Sequence, residues 1–342
     1  MYTEYYGFTD RPFQLTPDAR FYFDSRTHKK AMAYLGYGLA QGEGFIVITG
    51  DIGAGKSTLA AHLLATIDRA RLNAINIVST QVEGDDMLRL TAQGLGLATE
   101  GVEKAQLLER VEQELEDEAR SGKRTLLIVD EAQNLPVSSL EELRMLSNYQ
   151  VGGQALLQIF LLGQPEFRDK LAHSQGLEQL RQRVIATHHL DPMEEHEVEP
   201  YIIHRLGRVG WQGNPGFEAG VFAEIYRHTG GLPRRVNQLA SRLLLFAAME
   251  SLDMIGVETV QSVAEDMAFD SRQSGEDRVL HLRPAQIVPD AGESDEVGLD
   301  RRVEALEARL DEQEVALRRV LTLLVDWVEN DHEAVSLRHN AA

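Results

Sequence analysis

Gly50-Asp51-Ile52-Gly53-Ala54-Gly55-Lys56-Ser57-Thr58 is the stretch that decides the fold. It fills every fixed position of the P-loop pattern, after an apolar run at Phe45–Thr49 and before a helical one. The spacing has a physical cause. Glycines let successive backbone N–H groups turn inward into a concave nest, with no side chain in the way of a phosphate. The following helix offers its positive N-terminal end to the same anion. Lys56 can then reach β- and γ-phosphate oxygens, and the Ser57 hydroxyl can coordinate Mg²⁺. Gly-rich turns are common, but the strand before and the helix after weigh against a plain turn.

Outward from this loop, Gly44–Ala186 alternates short apolar runs with longer amphipathic segments, the pattern of βα units around a parallel sheet. Strands are expected at Phe45–Thr49, Asn73–Val78, Thr125–Asp130, Leu156–Leu161 and Val184–His188. All are aliphatic or β-branched, as strands buried on both faces should be. Capping boxes are expected where Ser138 is followed three residues on by Glu141, and where Asp191-Pro192 is followed by Glu194. From Glu194 to Phe269 the strand signal gives way to helical periodicity, as in Val257, Val260, Val263 and Met267.

Composition shifts again at Asp270. Pro284, Pro289 and many acids mark a flexible acidic linker over 270–299. Val303, Leu306, Leu310, Gln313, Leu317, Val320, Leu324 and Trp327 then keep a 3-4 spacing. This predicts a coiled-coil helix over 300–330, with an amphipathic helix packed back on the body as the alternative. Leu321, Leu323, Val325 and Val328 widen its apolar face beyond a two-stranded seam, which points to a bundle or a docking groove on a partner. The organisation read is therefore a nucleotide-binding domain over 1–190, a helical lid domain over 191–269, the linker, the coiled-coil or docking helix, and a tail over 331–342.

The other half of a phosphate site should be an acid ending a second buried strand. Leu126-Leu-Ile-Val-Asp130-Glu131 supplies it. Asp130 would hold Mg²⁺ through its water shell, and Glu131 can polarise an attacking water as general base. An adjacent Asp-Glu favours hydrolysis over passive binding, because the water needs a proton acceptor. Gln164, after the strand ending at Leu161, can bond the γ-phosphate or the water, or can be a turn residue. Charge developing on the phosphoryl oxygens also calls for cations, and Arg181, Arg183, Arg234 and Arg235 are the candidates.

A net charge of −20 with no concentrated basic run disfavours a nucleic-acid partner. The absence of cysteine excludes disulfides, thiolate metal sites and cysteine nucleophiles. Met1–Phe13 lacks a signal-peptide core, and the longest apolar runs, Leu243–Met249 and Val320–Val325, are too short to span a bilayer. A cytoplasmic location is expected.

Further segments carry a family resemblance: Tyr6-Gly-Phe-Thr-Asp-Arg-Pro-Phe-Gln-Leu-Thr-Pro-Asp18, Glu43-Gly-Phe-Ile-Val-Ile-Thr-Gly50, Asp130-Glu-Ala-Gln-Asn-Leu135, Leu143-Arg-Met-Leu-Ser-Asn148, Leu162-Gly-Gln-Pro-Glu-Phe167 and Gly231-Leu-Pro-Arg-Arg-Val-Asn237. Residues 1 to about 267 resemble the secretion-type AAA+ ATPases related to general secretion pathway protein A. Within them the chain is similar to the secretion ATPase found with exosortase/PEP-CTERM exopolysaccharide loci. The resemblance implies an α/β P-loop NTPase (AAA+) domain with a five-stranded parallel sheet and a helical lid, with ATP and Mg²⁺ between them. It places Gln164 at the first sensor position, where many AAA+ proteins carry Asn. Arg183 becomes the finger inserted into a neighbouring subunit's site, with Arg181 the second choice, and Arg234 the second sensor within its own subunit. The aromatic opening up to Phe23 would wrap the adenine end. A homo-oligomeric ring such as a hexamer is implied, with envelope secretion or polysaccharide-export proteins as partners, peripheral to the inner membrane. The expected function is an ATPase coupling hydrolysis to exopolysaccharide or secretion-system assembly or export. The alternative is a DNA-binding ATPase of the transposition-accessory kind.

Overall fold

An aliphatic run flanked by turn residues folds as a buried strand, and the computed structural model has three of them, at 45–50, 124–130 and 157–163. They are flanked by edge strands at 72–78 and 184–190 that are only partly buried, against the expectation of burial on both faces. The structure describes residues 2–42, 44–78 and 81–273. The linker beyond residue 273, the expected coiled-coil helix and the tail lie outside the described residues. The chain opens with one helical turn, α1 (Tyr2–Tyr5), and an extended arm that leads to α2 (Arg26–Gln41). Then follow β1 (Phe45–Gly50), α3 (Lys56–Thr66), β2 (Leu72–Val78), α4 (Gly84–Gly94), α5 (Lys104–Arg120), β3 (Arg124–Asp130) and α6 (Val137–Leu146). A two-residue hairpin ladder, β4 (Gln150–Val151) with β5 (Gln154–Ala155), precedes β6 (Leu157–Gly163), α7 (Pro165–His173), α8 (Glu178–Gln182) and β7 (Val184–Leu190). The remainder is α9 (Glu195–Arg208), β8 (Gly216–Phe217), α10 (Val221–Thr229), α11 (Pro233–Met249), β9 (Met254–Ile255) and α12 (Val257–Gln273).

The main sheet has the order β2-β3-β6-β1-β7, all parallel. Alternate residues of β1 enter different cores, as a period of two requires. Phe45 and Val47 pack with Met87, Leu107 and Leu143 from α4, α5 and α6. Ile46 and Ile48 pack with Leu35 of α2 and Leu59 of α3. The result is three layers, helices on both faces of a sheet. β1 lies between β6 and β7, so the order reverses there, and the crevice beyond the carboxyl ends of the strands is where such sheets bind ligands.

A third core belongs to α9–α12, with Val198, Ile202, Ile225, Leu239, Leu243 and Val260 among its buried members. Phe8, Phe13 and Phe21 of the amino-terminal arm join this core rather than those of the sheet. Arg205 of α9 fastens the arm. Its guanidinium is buried and donates to Pro12 O (2.7 Å) and to Tyr201 Oη (2.7 Å), with Phe21's ring 4.8 Å from Cζ.

Several local expectations are corrected. α6 starts at Val137 with Pro136 as its N-cap, because proline's fixed φ turns the chain into the helix one residue early. Ser138 therefore does not cap, and its hydroxyl donates to Glu83 Oε2 at 2.7 Å. At α9 the cap is Glu194 itself, whose N–H donates to Glu197 Oε2 at 2.9 Å, while Met193 N is spent on Gly231 O. The helical region also contains a parallel two-residue ladder, β8 with β9, and α12 runs on to Gln273. Among the described residues no helix is long and apolar enough to cross a membrane.

Candidate nucleotide-binding site

The loop between β1 and α3 is shaped by three glycines. Gly53 (φ +88°) and Gly55 (φ +99°) occupy the left-handed region, where a Cβ would crowd the backbone. A Cβ on Gly50 would sit 3.0 Å from Leu190 Cβ. Lys56, buried at the start of α3, folds its ammonium back onto the loop and donates to Gly50 O (2.7 Å) and Asp51 O (3.0 Å). Burial lowers its pKa, opposed by the charges of Glu131, Asp130, Asp51 and Glu166. Ile52 is exposed at the tip of the loop, and Ala54 is buried beneath it.

The acid strand ends beside the loop. Ser57 Oγ donates to Asp130 Oδ2 at 2.6 Å, and Asp130 Oδ1 accepts from Glu131 N at 2.9 Å. A hydroxyl and a carboxylate are hard oxygen donors of the kind Mg²⁺ takes. No cluster of three acidic, His or Cys side chains able to hold a metal exists among the described residues. The pair thus fits an ion that completes its shell with phosphate and water rather than one held in a protein cage.

Glu131 has φ +56°, a left-handed conformation uncommon outside glycine, which breaks the chain away from β3. Its Oε2 accepts from the Gln133 amide and from Gln164 Nε2 (3.2 Å). Gln164 follows β6, the strand between β1 and β3, so the sheet order alone sets it between the loop and the acids.

These residues open into a cavity of about 340 Å³, a size that suits a small-molecule ligand. Its far walls are the arm from Gln14 to Asp18, Tyr22, and Tyr201, Arg205 and Asn237 of the lid helices. His28 of α2 is buried against Gly55, with Nδ1 2.8 Å from Ser25 Oγ, and burial pushes its pKa down to about 4. Tyr22 stacks on His62 with ring centroids 3.8 Å apart. Arg234 closes the cavity from the lid: its N–H donates to Gly53 O at 3.1 Å, and a Cβ on Gly53 would lie 2.3 Å from Arg234 Cβ. The Arg234 side chain is exposed, as is Arg235.

Arg183 is not brought to this cluster. It sits at the other end of the sheet, where its carbonyl accepts from Phe45 N at 2.9 Å. Five residue steps lead from Phe45 to Gly50, roughly 16 Å. The guanidinium donates to Ser147 O (3.2 Å) and Ser147 Oγ (3.0 Å), while Arg181 donates to Ala172 O. Gln133, His28 and Arg205 are site residues that motif reading passes over. Gln133 lies in the quoted Asp130–Leu135 segment, two residues after Glu131, and that proximity is its one sequence signal. His28 and Arg205 carry none, since the groups that tie them to the site, Gly55 for His28 and Pro12 of the arm for Arg205, are distant in the chain.

Residues 39–171 match the family model described as an AAA domain. The chain is 33% identical to General secretion pathway protein A of Aeromonas hydrophila over 248 residues, 72% of this chain and 45% of that protein. It thus spans less than half the length of that relative. Among solved structures, Cdc6p from Pyrobaculum aerophilum is similar with a TM-score of 0.57 and 15% identity, over 76% of this chain and 71% of that one. The Aeropyrum pernix ORC1 protein in complex with DNA gives 0.55 and 16%, over 80% and 73%. At such identities these two speak for the fold alone. With this strand order, loop and acid strand, the described residues have the P-loop AAA+ ATPase fold, with an AAA domain match over residues 39–171 and similarity to General secretion pathway protein A.

Proposed function

We propose that the chain binds ATP with Mg²⁺ in the cavity between loop, arm and lid helices and hydrolyses it. The observation that carries this reading is the meeting of Lys56, Ser57, Asp130, Glu131 and Gln164 at one end of the sheet, joined by the Ser57–Asp130 hydrogen bond. Lys56 exchanges its two loop carbonyls for β- and γ-phosphate oxygens. The backbone N–H groups of Asp51 to Thr58 cradle the phosphates. Ser57 and Asp130 would hold Mg²⁺, which would supply charge that offsets the phosphates. Glu131 takes a proton from the attacking water; the water oxygen bonds to the γ-phosphorus as the bond to the β–γ bridging oxygen breaks, leaving ADP and phosphate. Gln164 orients the water or the γ-phosphate. Arg234 contacts phosphate in its own subunit, and Arg183 serves the site of the next copy in a homo-oligomeric ring.

The work done is the assembly or export of an envelope secretion system, with exopolysaccharide as the cargo class, at the cytoplasmic face of the inner membrane. Relatedness to General secretion pathway protein A supports the secretion role. Phosphate release should be measured for the chain, for Lys56→Ala and for Glu131→Gln, with and without duplex DNA. Glu131→Gln should still bind Mg-ATP while turnover falls about 100-fold or more. Unchanged turnover in Glu131→Gln removes its role as base, and strong stimulation by DNA transfers the chain to the DNA-binding alternative.

A further inference from the structure

We propose that Gln133 is a positioning residue that fixes the Glu131 carboxylate and ties it to Gln164, an assignment resting on Glu131 as the base. Gln133 lies in the 3-10 turn Ala132–Asn134 that follows β3. Both ends of its amide are used. Nε2 donates to Glu131 Oε2, and Oε1 accepts from Gln164 N at 3.0 Å. The opposite orientation would set Nε2 against another N–H and Oε1 against a carboxylate, so the network permits one placement only.

The turn itself is held from the other side. Lys170 of α7 reaches back to the carbonyls of Gln133 (3.4 Å) and Leu135, so the segment after β6 and the segment after β3 are joined twice. Glu131 needs such support. Its side chain leaves a left-handed backbone on a flexible stem and is only partly buried. Gln133 and Gln164 both donate to Oε2, which leaves Oε1 as the oxygen free to receive a proton. The two donors are not equivalent. The Gln164 amide has a second destination, the phosphate or the water, and leaves Glu131 when it goes there. Gln133 has none, because its acceptor end is anchored on the Gln164 backbone. It therefore keeps Oε1 aimed while Gln164 changes partner.

The test is steady-state turnover, nucleotide affinity and Tm of the full chain carrying Gln133→Met or Gln133→Glu, each alone and with Glu131→Gln. Methionine keeps the length without donor or acceptor; glutamate keeps the acceptor and places a charge against Glu131. Both should lower kcat about 10- to 100-fold, the scale of a misplaced reacting group, with KM and nucleotide affinity within about threefold. In the Glu131→Gln background Gln133→Met should cost less than about twofold more, since its target is gone. Full kcat in Gln133→Met, a loss confined to KM, or an equal loss in the Glu131→Gln background overturns the assignment. If Glu131→Gln alone turns over normally, the base reading fails and this one with it. An inactive Glu131→Gln beside a fully active Gln133→Met sinks only the positioning role. If Gln133→Met fails to fold, Gln133→Glu decides the question through its full kcat, which overturns the assignment, or through a loss that disappears in the Glu131→Gln background, which supports it.

Discussion

Arg183→Ala removes a side chain whose backbone lies beside Phe45, five residue steps of β1 or roughly 16 Å from Gly50, and whose guanidinium is bonded to Ser147 rather than turned to the loop. If the proposed ring is right, the loss appears in the neighbour's site. Turnover should fall on the order of 10³-fold, the scale of removing an arginine finger, while nucleotide affinity stays within a few-fold. Subunit mixing then separates trans from cis. In a head-to-tail ring formed from equal amounts of Arg183→Ala and Glu131→Gln, about one interface in four joins an intact base to an intact arginine. Phosphate release should therefore rise to about a quarter of the wild-type rate per subunit, from two parents that are each nearly inactive. Wild-type-like activity in Arg183→Ala alone, or mixtures that never exceed the weighted sum of the parents, refutes the arrangement. Arg181→Ala, whose guanidinium is spent on Ala172 O within the subunit, serves as the comparison and should cost far less.

Lys56→Ala should abolish tight nucleotide binding in a fluorescent-nucleotide titration, because the cavity loses its buried ammonium. Gly53→Ala should destabilise the fold by at least about 1–2 kcal/mol from the left-handed backbone alone. The added contact at Arg234 should lower Tm further and loosen the loop from the lid. His28 has its folded pKa lowered to about 4 from an ordinary 6.5, so the unfolded chain binds more protons between those values. Its contribution is thus fully present above pH 6.5 and is lost as pH falls towards 4, by at most about 1.4 kcal/mol per pH unit. His28→Gln should flatten the drop in Tm over that window. A chain ending at Gln273, where α12 ends, should keep measurable ATP turnover in a phosphate-release assay; its loss would make the acidic tail part of the enzyme.

The sheet was legible because its central strands carry aliphatic runs such as Leu126–Val129 bounded by turn residues, while the edge strands β2 and β7 are interrupted by Asn76 and by His188-His189 and are only partly buried. The loop, Asp130 and Glu131 were legible because phosphate chemistry fixes their spacing. What escaped depends on contacts between residues far apart in the chain. Arg205 finds Pro12 and Gln14 nearly two hundred residues away, so the arm's attachment to α9 has no local signature. The β8–β9 ladder is too short to leave an alternating pattern. Ser138 has a capping residue's chemistry, but the helix starts at Val137 behind Pro136, and the Ser138 hydroxyl is bonded to Glu83 instead. Gln133 was in view, yet its role needs the order β3-β6-β1, which sets Gln164 beside it.

The single bond from Arg234 N–H to Gly53 O joins the phosphate loop to the first turn of α11. α11 has 17 residues, hence a length of roughly 25 Å from the loop to Met249, with Val236, Leu239, Leu243 and Ala247 along it buried in the helical core. A displacement of the loop would enter α11 through this bond, and because α11 packs against α10 and α12 the helical core would share it.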